Sequence, residues 1–359
     1  MLPGNDASTV RDVAARAGVS ASTVSRVLGG TYPVAAATRA RVLKAMRELD
    51  YVVNAHARAL GGSTNKTVAF IVDDVTGPFY AHVARGVEEQ AAAEGRLCML
   101  CTTHGDPQRV LTIVETMREQ RADAVIVVGG AWEDKAHLDR MTYFAHALDR
   151  AGSRLVLVGR PPLGEGVPAT VVDYDNEGGA FAMTTHLLTS GHQRIAYLGR
   201  VPGMITSTQR VSGFRRAHEM LGLSPDPALV LDGAYARSYG YQGTRELLAS
   251  GAAFTALFAA TDMVAAGALL ALREAGVRVP EDVSVVGTDD VPLAMDVFPA
   301  LTTVSIPHEE LGRAAVRLAL HRHELPESQH LVLGTHIVVR DSVRRRPSLS
   351  PSPSPGRRG

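Results

Sequence analysis

Apolar residues recur at helical spacing in the first fifty residues and predict three short helices. The predicted spans are Val10–Ala17, Ala21–Leu28 and Ala36–Leu49. Thr9 and Ser20 hold the N-cap positions of the first two helices, and a glycine follows the first. Two short helices joined by a tight turn that contains glycine are typical of a helix-turn-helix, although an ordinary helical hairpin has the same pattern.

From about Thr67 the pattern changes to short apolar runs that alternate with helical stretches such as Tyr80–Glu94. The runs are Val68–Val72, Leu97–Cys101, Ala124–Val128, Leu155–Val158, Ile195–Leu198, Ala256–Ala260 and Val283–Val286. Strands that alternate with helices form parallel sheets, and residues 67–345 are too many for one sheet. We therefore predict two doubly wound α/β lobes, with a cleft at the carboxyl ends of their strands.

Length and composition limit the class of protein. A chain of 359 residues indicates two or three domains, and no run of about 18 apolar residues is present to span a membrane. The first six residues lack the basic and apolar regions of an export signal, and two cysteines cannot build a disulfide framework. These features predict a cytoplasmic protein.

The net charge of zero conceals a segregation of charge along the chain. Residues 1–60 carry eight Lys/Arg against four Asp/Glu, residues 61–340 carry 24 against 32, and residues 341–359 carry five against one. The ends are therefore basic and the middle is acidic. This asymmetry indicates a basic contact module joined to a body with a different partner.

Several segments carry a family resemblance that extends to about residue 343. They are TVRDVAARAGVSASTVSRVL at 9–28, VAAATR at 34–39, LDYVVN at 49–54, ARAL at 57–60, Asp175-Asn176, Gly191-His192, Arg210, Asp262, VPEDVSVVG at 279–287 and LTTV at 301–304. These segments resemble the LacI/GalR family of transcription repressors. The resemblance implies an all-α helix-turn-helix head and a periplasmic-binding-protein-like (type I) body, whose chain crosses between the lobes near residues 166, 290 and 325.

The resemblance also implies a domain organisation. We expect a DNA-binding domain at 1–52, a hinge helix and linker at 53–64, an effector-binding and dimerisation body at 65–345, and a tail at 346–359. The tail is rich in Ser and Pro and has too little apolar content to fold. No heptad pattern follows the body, so a homodimer is expected rather than a coiled-coil tetramer.

In this family the exposed face of the second helix reads bases. The DNA contacts that carry over to the head are Thr9, Ser20, Ala21, Ser22, Thr23, Ser25 and Arg26. Ala21 and Ser22 hold the positions that most distinguish operators, and both are small, so direct readout is expected to depend on Arg26 and Thr23. Phosphate contacts are expected from Ser8, Thr9, Ser25 and Tyr51. The basic side chains Arg11, Arg39, Arg41 and Lys44 either contact phosphate or form a solvated face.

Residues 54–60 correspond to a hinge helix of about two turns, which is too short to be stable alone and should form only against DNA and its dimer mate. Its expected DNA contacts are Asn54, Ala57, Arg58 and Leu60, with Leu60 wedged into a minor-groove base step. Packing of Leu60 on the body is the alternative. Val53 replaces a common proline and Ala35 a common capping serine, so the hinge is expected to depend more on the operator for order.

For the effector, the family pattern points to Phe79, Tyr80, Arg160, Arg210, Tyr235, Thr261 and Asp289. Arg210 and Asp289 can bind neighbouring hydroxyls while Tyr235 or Phe79 lies on the apolar face of a sugar ring, which favours a mono- or oligosaccharide. Asp262 is expected to cap a helix, and Asp290 to be structural. Departures from the family pattern at Gly159, Thr288 and Ile306 leave a purine, another non-sugar effector or a corepressor as the alternative.

No pattern indicates an enzyme, a metal site or a cofactor. Cys98 and Cys101 face opposite sides of a predicted strand, His104 lacks companion ligands, and the paired glycines lack the lysine of a phosphate loop. A solute-binding receptor would share the two-lobed body but would need an export signal. The sequence therefore predicts a cytoplasmic, nucleoid-associated homodimeric repressor that binds near-palindromic operator DNA and is released by a sugar, and that controls genes of carbohydrate uptake or catabolism.

Overall fold

The computed structural model describes residues 8–29, 33–51, 66–132, 134–321 and 329–346. The head consists of α1 (Val10–Ala17), α2 (Ala21–Gly29) and α3 (Ala36–Glu48), which confirms the three predicted helices to within one residue. Thr9 and Asp12 form a capping box at the start of α1, and Gly18 ends it in the left-handed conformation. Ala35 makes no side-chain cap at the start of α3, as its sequence implies.

The first lobe is built from βα units. They are β1 (Thr67–Val72), α4 (Pro78–Ala93), β2 (Leu97–Thr102), α5 (Pro107–Glu119), β3 (Ala124–Val128), α6 (Lys135–Arg150), β4 (Arg154–Val158) and β5 (Ala169–Tyr174). Two later elements complete the lobe, α12 (His308–Leu320) and β11 (Gln329–Leu333). The strand order is β11-β5-β4-β3-β1-β2, and every pairing is parallel. Helices cover both faces, so strands such as β3 are buried along their whole length.

The second lobe repeats this architecture. Its elements are α7 (Asn176–Thr189), β6 (Ile195–Arg200), α8 (Ile205–Met220), β7 (Val230–Asp232), α9 (Arg237–Ala249), β8 (Ala256–Ala259), α10 (Asp262–Glu274), β9 (Ser284–Asp289), α11 (Leu293–Asp296), β10 (Thr302–Ser305) and β12 (His336–Val338). The strand order is β12-β10-β9-β8-β6-β7, and β12 runs antiparallel to β10. The predicted fold class is confirmed: a helix-turn-helix head plus two doubly wound, mainly parallel lobes.

The chain passes between the lobes at residues 174–176, 305–308 and 333–336, later than the predicted positions near 166, 290 and 325. The predictions were wrong because three of the strands that the sequence analysis missed lie at these points of the chain. After residue 166, β5 still pairs with β4; after residue 290, β10 still pairs with β9; and β11 adds to the edge of β5. All three contain polar residues, so their apolar runs are interrupted.

Helices pack closely where one of them carries glycine. A Cβ added at Gly86 on α4 would lie 2.0 Å from the backbone oxygen of Glu309 on α12, and one at Gly240 on α9 would lie 2.0 Å from that of Val264 on α10. At the end of the described chain, the backbone nitrogen of Arg346 donates to the carbonyl of Ser190 at 2.8 Å. Arg346 therefore belongs to the body rather than to the expected tail. In the part of the chain that is described, no helix has both the length and the apolar character needed to cross a bilayer.

Candidate DNA-binding and ligand-binding sites

The N-terminal half of α2 presents short side chains to solvent. Ala21, Ser22, Ser25 and Arg26 are exposed, whereas Val24 is fully buried in the head. The hydroxyl oxygen of Ser20 accepts from the backbone nitrogen of Thr23 at 3.1 Å and so caps this helix, as predicted. The turn and the small residues leave the helix N-terminus open to close approach.

Most hydroxyls expected to reach DNA already donate within the head. Ser25 Oγ donates to the carbonyl of Ala21 at 3.1 Å, and Ser8 Oγ donates to the carbonyl of Leu49 at 2.9 Å. Thr9 Oγ1 donates to Asp12 Oδ2 at 2.7 Å. A hydroxyl has one proton, so each of these groups must leave its internal partner before it can donate to a phosphate.

The arginines of the head divide into paired and unpaired side chains. Arg16 forms an ion pair with Glu48 at 2.7 Å, and Lys44 lies 3.8 Å from the same carboxylate. Arg26, on the exposed face of α2, makes neither a hydrogen bond nor an ion pair with any described residue. Its guanidinium is therefore available to an outside acceptor without breaking an internal contact.

The expected hinge contacts Asn54, Ala57, Arg58 and Leu60 lie outside the described residues, as does Val53. Their roles, including the wedge at Leu60, stay predictions.

A cavity of about 280 Å³ lies between the two lobes, near the lower end of the size range of small-molecule sites. All the effector residues expected from the sequence line it: Phe79, Tyr80, Arg160, Arg210, Tyr235, Thr261 and Asp289. The sequence reasoning missed other lining residues, among them Asp73, Trp132, His137, Tyr174, Met204 and Thr206. Asp73 directly follows β1, a strand that the sequence predicts, so the rule that ligands lie at the carboxyl ends of parallel strands could have found it. Tyr174 ends β5, which the sequence analysis missed.

Arg210 organises the wall from the second lobe. It is buried, its Nε donates to Asn176 Oδ1 at 2.9 Å, and its Nη1 donates to the carbonyl of Ala260. Its Nη2 lies 3.6 Å from Asp289 Oδ1, and its guanidinium carbon lies 5.6 Å from the centre of the Tyr235 ring. Burial raises the pKa of Asp289 to about 7, and the positive charge of Arg210 opposes this rise. These contacts fix a donor, an acceptor and an aromatic ring side by side.

The wall from the first lobe contains a buried arginine with an unused hydrogen-bond donor. Arg160 is 8% exposed, and its Nε has no hydrogen-bond partner among the described residues. Burial lowers the pKa of Arg160, and the charge of nearby Asp73 opposes this effect. Asp73 accepts from Thr103 Oγ1 at 2.7 Å and from the Tyr80 hydroxyl at 3.4 Å. A buried guanidinium with an unused donor is costly, which is typical of a site that a ligand completes.

The helix that follows β8 is capped differently from expectation. Thr261, not Asp262, is the N-cap, and its Oγ1 accepts from the backbone nitrogen of Val264 at 3.2 Å. The Asp262 carboxylate is fully buried and accepts from the backbone nitrogen of Val291 at 3.0 Å and from Thr303 Oγ1 at 2.5 Å. The prediction for Asp262 was wrong because Thr261 already holds the extended backbone conformation that a cap requires.

Other candidate groups have structural roles. Asp290 pairs with Arg340 at 2.6 Å, as its predicted structural role implies. His192 is buried, with its Nε2 2.9 Å from the carbonyl oxygen of Arg344. Cys98 and Cys101 pack on opposite faces of the first sheet, are half-buried, and have pKa values raised by burial, to about 11 for Cys98. Among the described residues, no group of His, Cys, Asp and Glu could hold a metal ion.

A helix-turn-helix head joined to a two-lobed body with a cavity between its lobes defines a ligand-responsive, DNA-binding regulator. Residues 9–54 match the model of the lacI family of bacterial regulatory proteins, and residues 184–343 match a periplasmic binding protein-like domain. The chain belongs to the LacI family, and it is a ligand-responsive transcriptional repressor.

Several relatives match this chain over nearly its whole length. The HTH-type transcriptional repressor PurR of Haemophilus influenzae (strain PittEE) is 33% identical over 342 residues, which cover 94% of this chain and 99% of PurR. A solved complex of the transcriptional regulator CelR with cellobiose is 35% identical, with a TM-score of 0.68, and covers 93% of this chain and 99% of that one. The Lac repressor dimer bound to operator and the anti-inducer ONPF is 25% identical, with a TM-score of 0.77 and coverages of 94% and 100%. These relatives are transcriptional regulators and not enzymes.

Proposed function

We propose that the chain represses genes of carbohydrate uptake or catabolism and leaves its operator when a mono- or oligosaccharide fills the cavity between the lobes. The observation that carries this proposal is the cluster of Arg210, Asp289 and Tyr235. Two neighbouring hydroxyls can donate to the carboxylate and accept from the guanidinium, while the tyrosine ring supports the apolar face of the sugar. The similarity to the CelR–cellobiose complex agrees with this class of effector.

A purine or another corepressor in the same cavity is the second candidate, and the similarity to PurR favours it. Phe79, Tyr80 and Tyr174 line the cavity and offer planar surfaces on which a nucleobase could stack. A nucleobase lacks vicinal hydroxyls, so it would use the Arg210–Asp289 pair less fully than a sugar. The two classes of effector are therefore separable by binding.

We propose a homodimer that places two heads on the halves of a near-palindromic operator, bound to the nucleoid in the cytoplasm. The edge strand β2 exposes Leu97, Met99 and Leu100, and the second lobe exposes Met295 and Phe298, which is 95% exposed. An exposed apolar edge strand is a liability in a monomer and is normally covered. Light scattering should give a dimer for the native chain, and a charge at the edge, as in Leu97→Glu, should weaken it.

We also propose that the head ends at residue 52, the hinge and linker at residue 64, and the body at residue 346 rather than 345, so that the body includes Arg346. Lys66 is the first described residue after the segment assigned to the hinge, and Thr67 begins β1 of the first lobe. The first lobe is therefore the part of the body that leads directly to the hinge and the head.

Thermal unfolding with a panel of monosaccharides, disaccharides, nucleobases and nucleosides tests the effector. A ligand at 100 times its Kd stabilises the folded state by about 2.7 kcal/mol, which gives a measurable shift of the melting temperature. The ligand that shifts it should also release a fluorescent operator selected from a random duplex pool. A shift with purines and none with sugars would replace the first candidate with the second. Sugar binding that leaves the operator bound would overturn the proposed release by a sugar.

A further inference from the structure

The cavity lining also includes a group of first-lobe residues outside the Arg210–Asp289 cluster, which we call the rim. This rim is formed by Asp106 and Val110 at the start of α5, Trp132 after β3, and His137 on α6. Met204 of the second lobe also lines the cavity. The lining therefore has an inner part built around Arg210 and an outer part built around Trp132.

Trp132 is the only tryptophan in the chain, and both lobes fix its position. Its backbone forms an antiparallel bridge with Met204, and the neighbouring Ile205 nitrogen donates to the Ala131 carbonyl at 3.0 Å. A Cβ added at Gly203 would lie 3.6 Å from Cε3 of the indole, so the ring rests against the second lobe. Trp132 is nevertheless 46% exposed, and no aromatic ring in the described ranges stacks on it.

Two polar groups with unused hydrogen-bonding capacity line the same cavity as this ring. His137 Nδ1 is buried without a partner in the described part of the chain, as is the Nε of Arg160. Burial lowers the pKa of His137, and the charge of nearby Arg160 lowers it further, while the charge of Asp134 opposes both effects. Both atoms are therefore available to a hydroxyl of a ligand that reaches the rim.

We propose that Trp132, His137 and Arg160 form an outer subsite for the second ring of a disaccharide or longer oligosaccharide. The inference rests on the proposed function, in which the first ring occupies the Arg210–Asp289 cluster. The indole supports the apolar face of the second ring, while His137 and Arg160 bind its hydroxyls. The effector is then an oligosaccharide rather than a single sugar.

Calorimetric titration of the full chain with glucose, galactose, cellobiose, maltose and lactose tests the subsite. Trp132→Ala should weaken binding of the preferred disaccharide about tenfold and change binding of its component monosaccharide less than about twofold. Tyr143→Ala is the matched control, because Tyr143 is an equally exposed aromatic residue on α6 that does not line the cavity. Trp132→Phe keeps an aromatic surface and should recover most of the affinity.

Intrinsic fluorescence gives a second readout, because the native chain has a single tryptophan. The emission of Trp132 should shift with the disaccharide and stay unchanged with the monosaccharide at saturation. Equal losses for both ligands in Trp132→Ala, or no loss for either, would overturn the subsite while the sugar effector stands. Binding of no sugar by the native chain would overturn the proposed function and the subsite together. Thermal melting of each variant checks that the fold is retained.

Discussion

Arg26→Ala is expected to lower operator affinity strongly, because this guanidinium is exposed on α2 and unpaired within the described residues. The hydroxyls of Thr9 and Ser25 already donate within the head, so Arg26 is the group best placed for direct readout. A bidentate contact between arginine and a base contributes about 1–3 kcal/mol, and a dimer makes the contact twice. The expected loss is therefore about 2–6 kcal/mol, or about 30-fold to about 10⁴-fold in Kd.

Fluorescence anisotropy at several salt concentrations, with an operator selected from random duplexes, measures this loss. If Arg26 reads a base, the variant loses its preference at one symmetric pair of positions. If it binds phosphate, affinity falls for every sequence and the salt slope decreases by about 0.9 per half-site. Arg16→Ala is the matched control, since Arg16 is paired with Glu48 and such exposed pairs contribute at most about 1 kcal/mol. Unchanged affinity, specificity and salt slope in a folded Arg26→Ala protein would refute the reasoning.

Two further predictions concern the body. Because burial raises the pKa of Asp289 to about 7 against the charge of Arg210, effector affinity should rise between about pH 6 and pH 8 as the carboxylate that accepts hydroxyls ionises. Calorimetry should show this rise in affinity in the native chain but not in Asp289→Asn. The raised pKa of Asp289 also makes the free energy of unfolding fall as pH rises from about 4 to about 7, because the folded state retains a proton that the unfolded state has released. Gly86→Ala should lower the free energy of unfolding by about 3 kcal/mol in denaturant titrations, because its Cβ would meet the backbone of Glu309 at 2.0 Å. Gly334→Ala meets no atom within 4 Å and should change it by less than about 0.5 kcal/mol, so equal effects of the two variants would contradict the packing argument.

The helices of the head could be predicted closely because their signals are local. Capping residues such as Thr9 and Ser20, the left-handed turn at Gly18 and a 3.6-residue apolar period all act within one or two turns of backbone. These helices can therefore be predicted without knowledge of any distant contact. The same locality explains why Ala35 could be recognised as a missing cap.

Strands could be predicted only where both faces are buried. Residues 124–128 form an unbroken apolar run and are buried throughout, so β3 is visible in the sequence. In contrast, β5 contains Thr170 and Asp173, and β10 begins with two threonines. Their strand conformation depends on the partners they meet across the sheet, which the local sequence does not specify. Because these strands were missed, the predicted crossings between the lobes lie too early in the chain.

The cavity could be predicted in part for a similar reason. Asp289 ends β9 and Thr261 follows β8, so the rule that ligands lie at the carboxyl ends of parallel strands applies to both. Trp132 lies in a loop whose position depends on a bridge to Met204, more than seventy residues further along the chain. A contact of that kind between the two lobes leaves no local pattern, and the outer part of the cavity was therefore missed.

The connection between cavity and head constrains which ligands can act as effectors. Tyr174 lines the cavity at the first crossing between the lobes, and Asn176 just beyond it accepts from Arg210 at 2.9 Å. Ligand contacts on the second lobe therefore act on the same segment that joins it to the first lobe, and only the first lobe continues directly to the hinge. A ligand that touches one lobe alone binds equally well at every orientation of the lobes and shifts no equilibrium, however tightly it binds. A molecule that engages both lobes, as through Arg160 on one side and Arg210 on the other, can change DNA binding. The change is limited to its difference in affinity for the two orientations, typically about 1–3 kcal/mol.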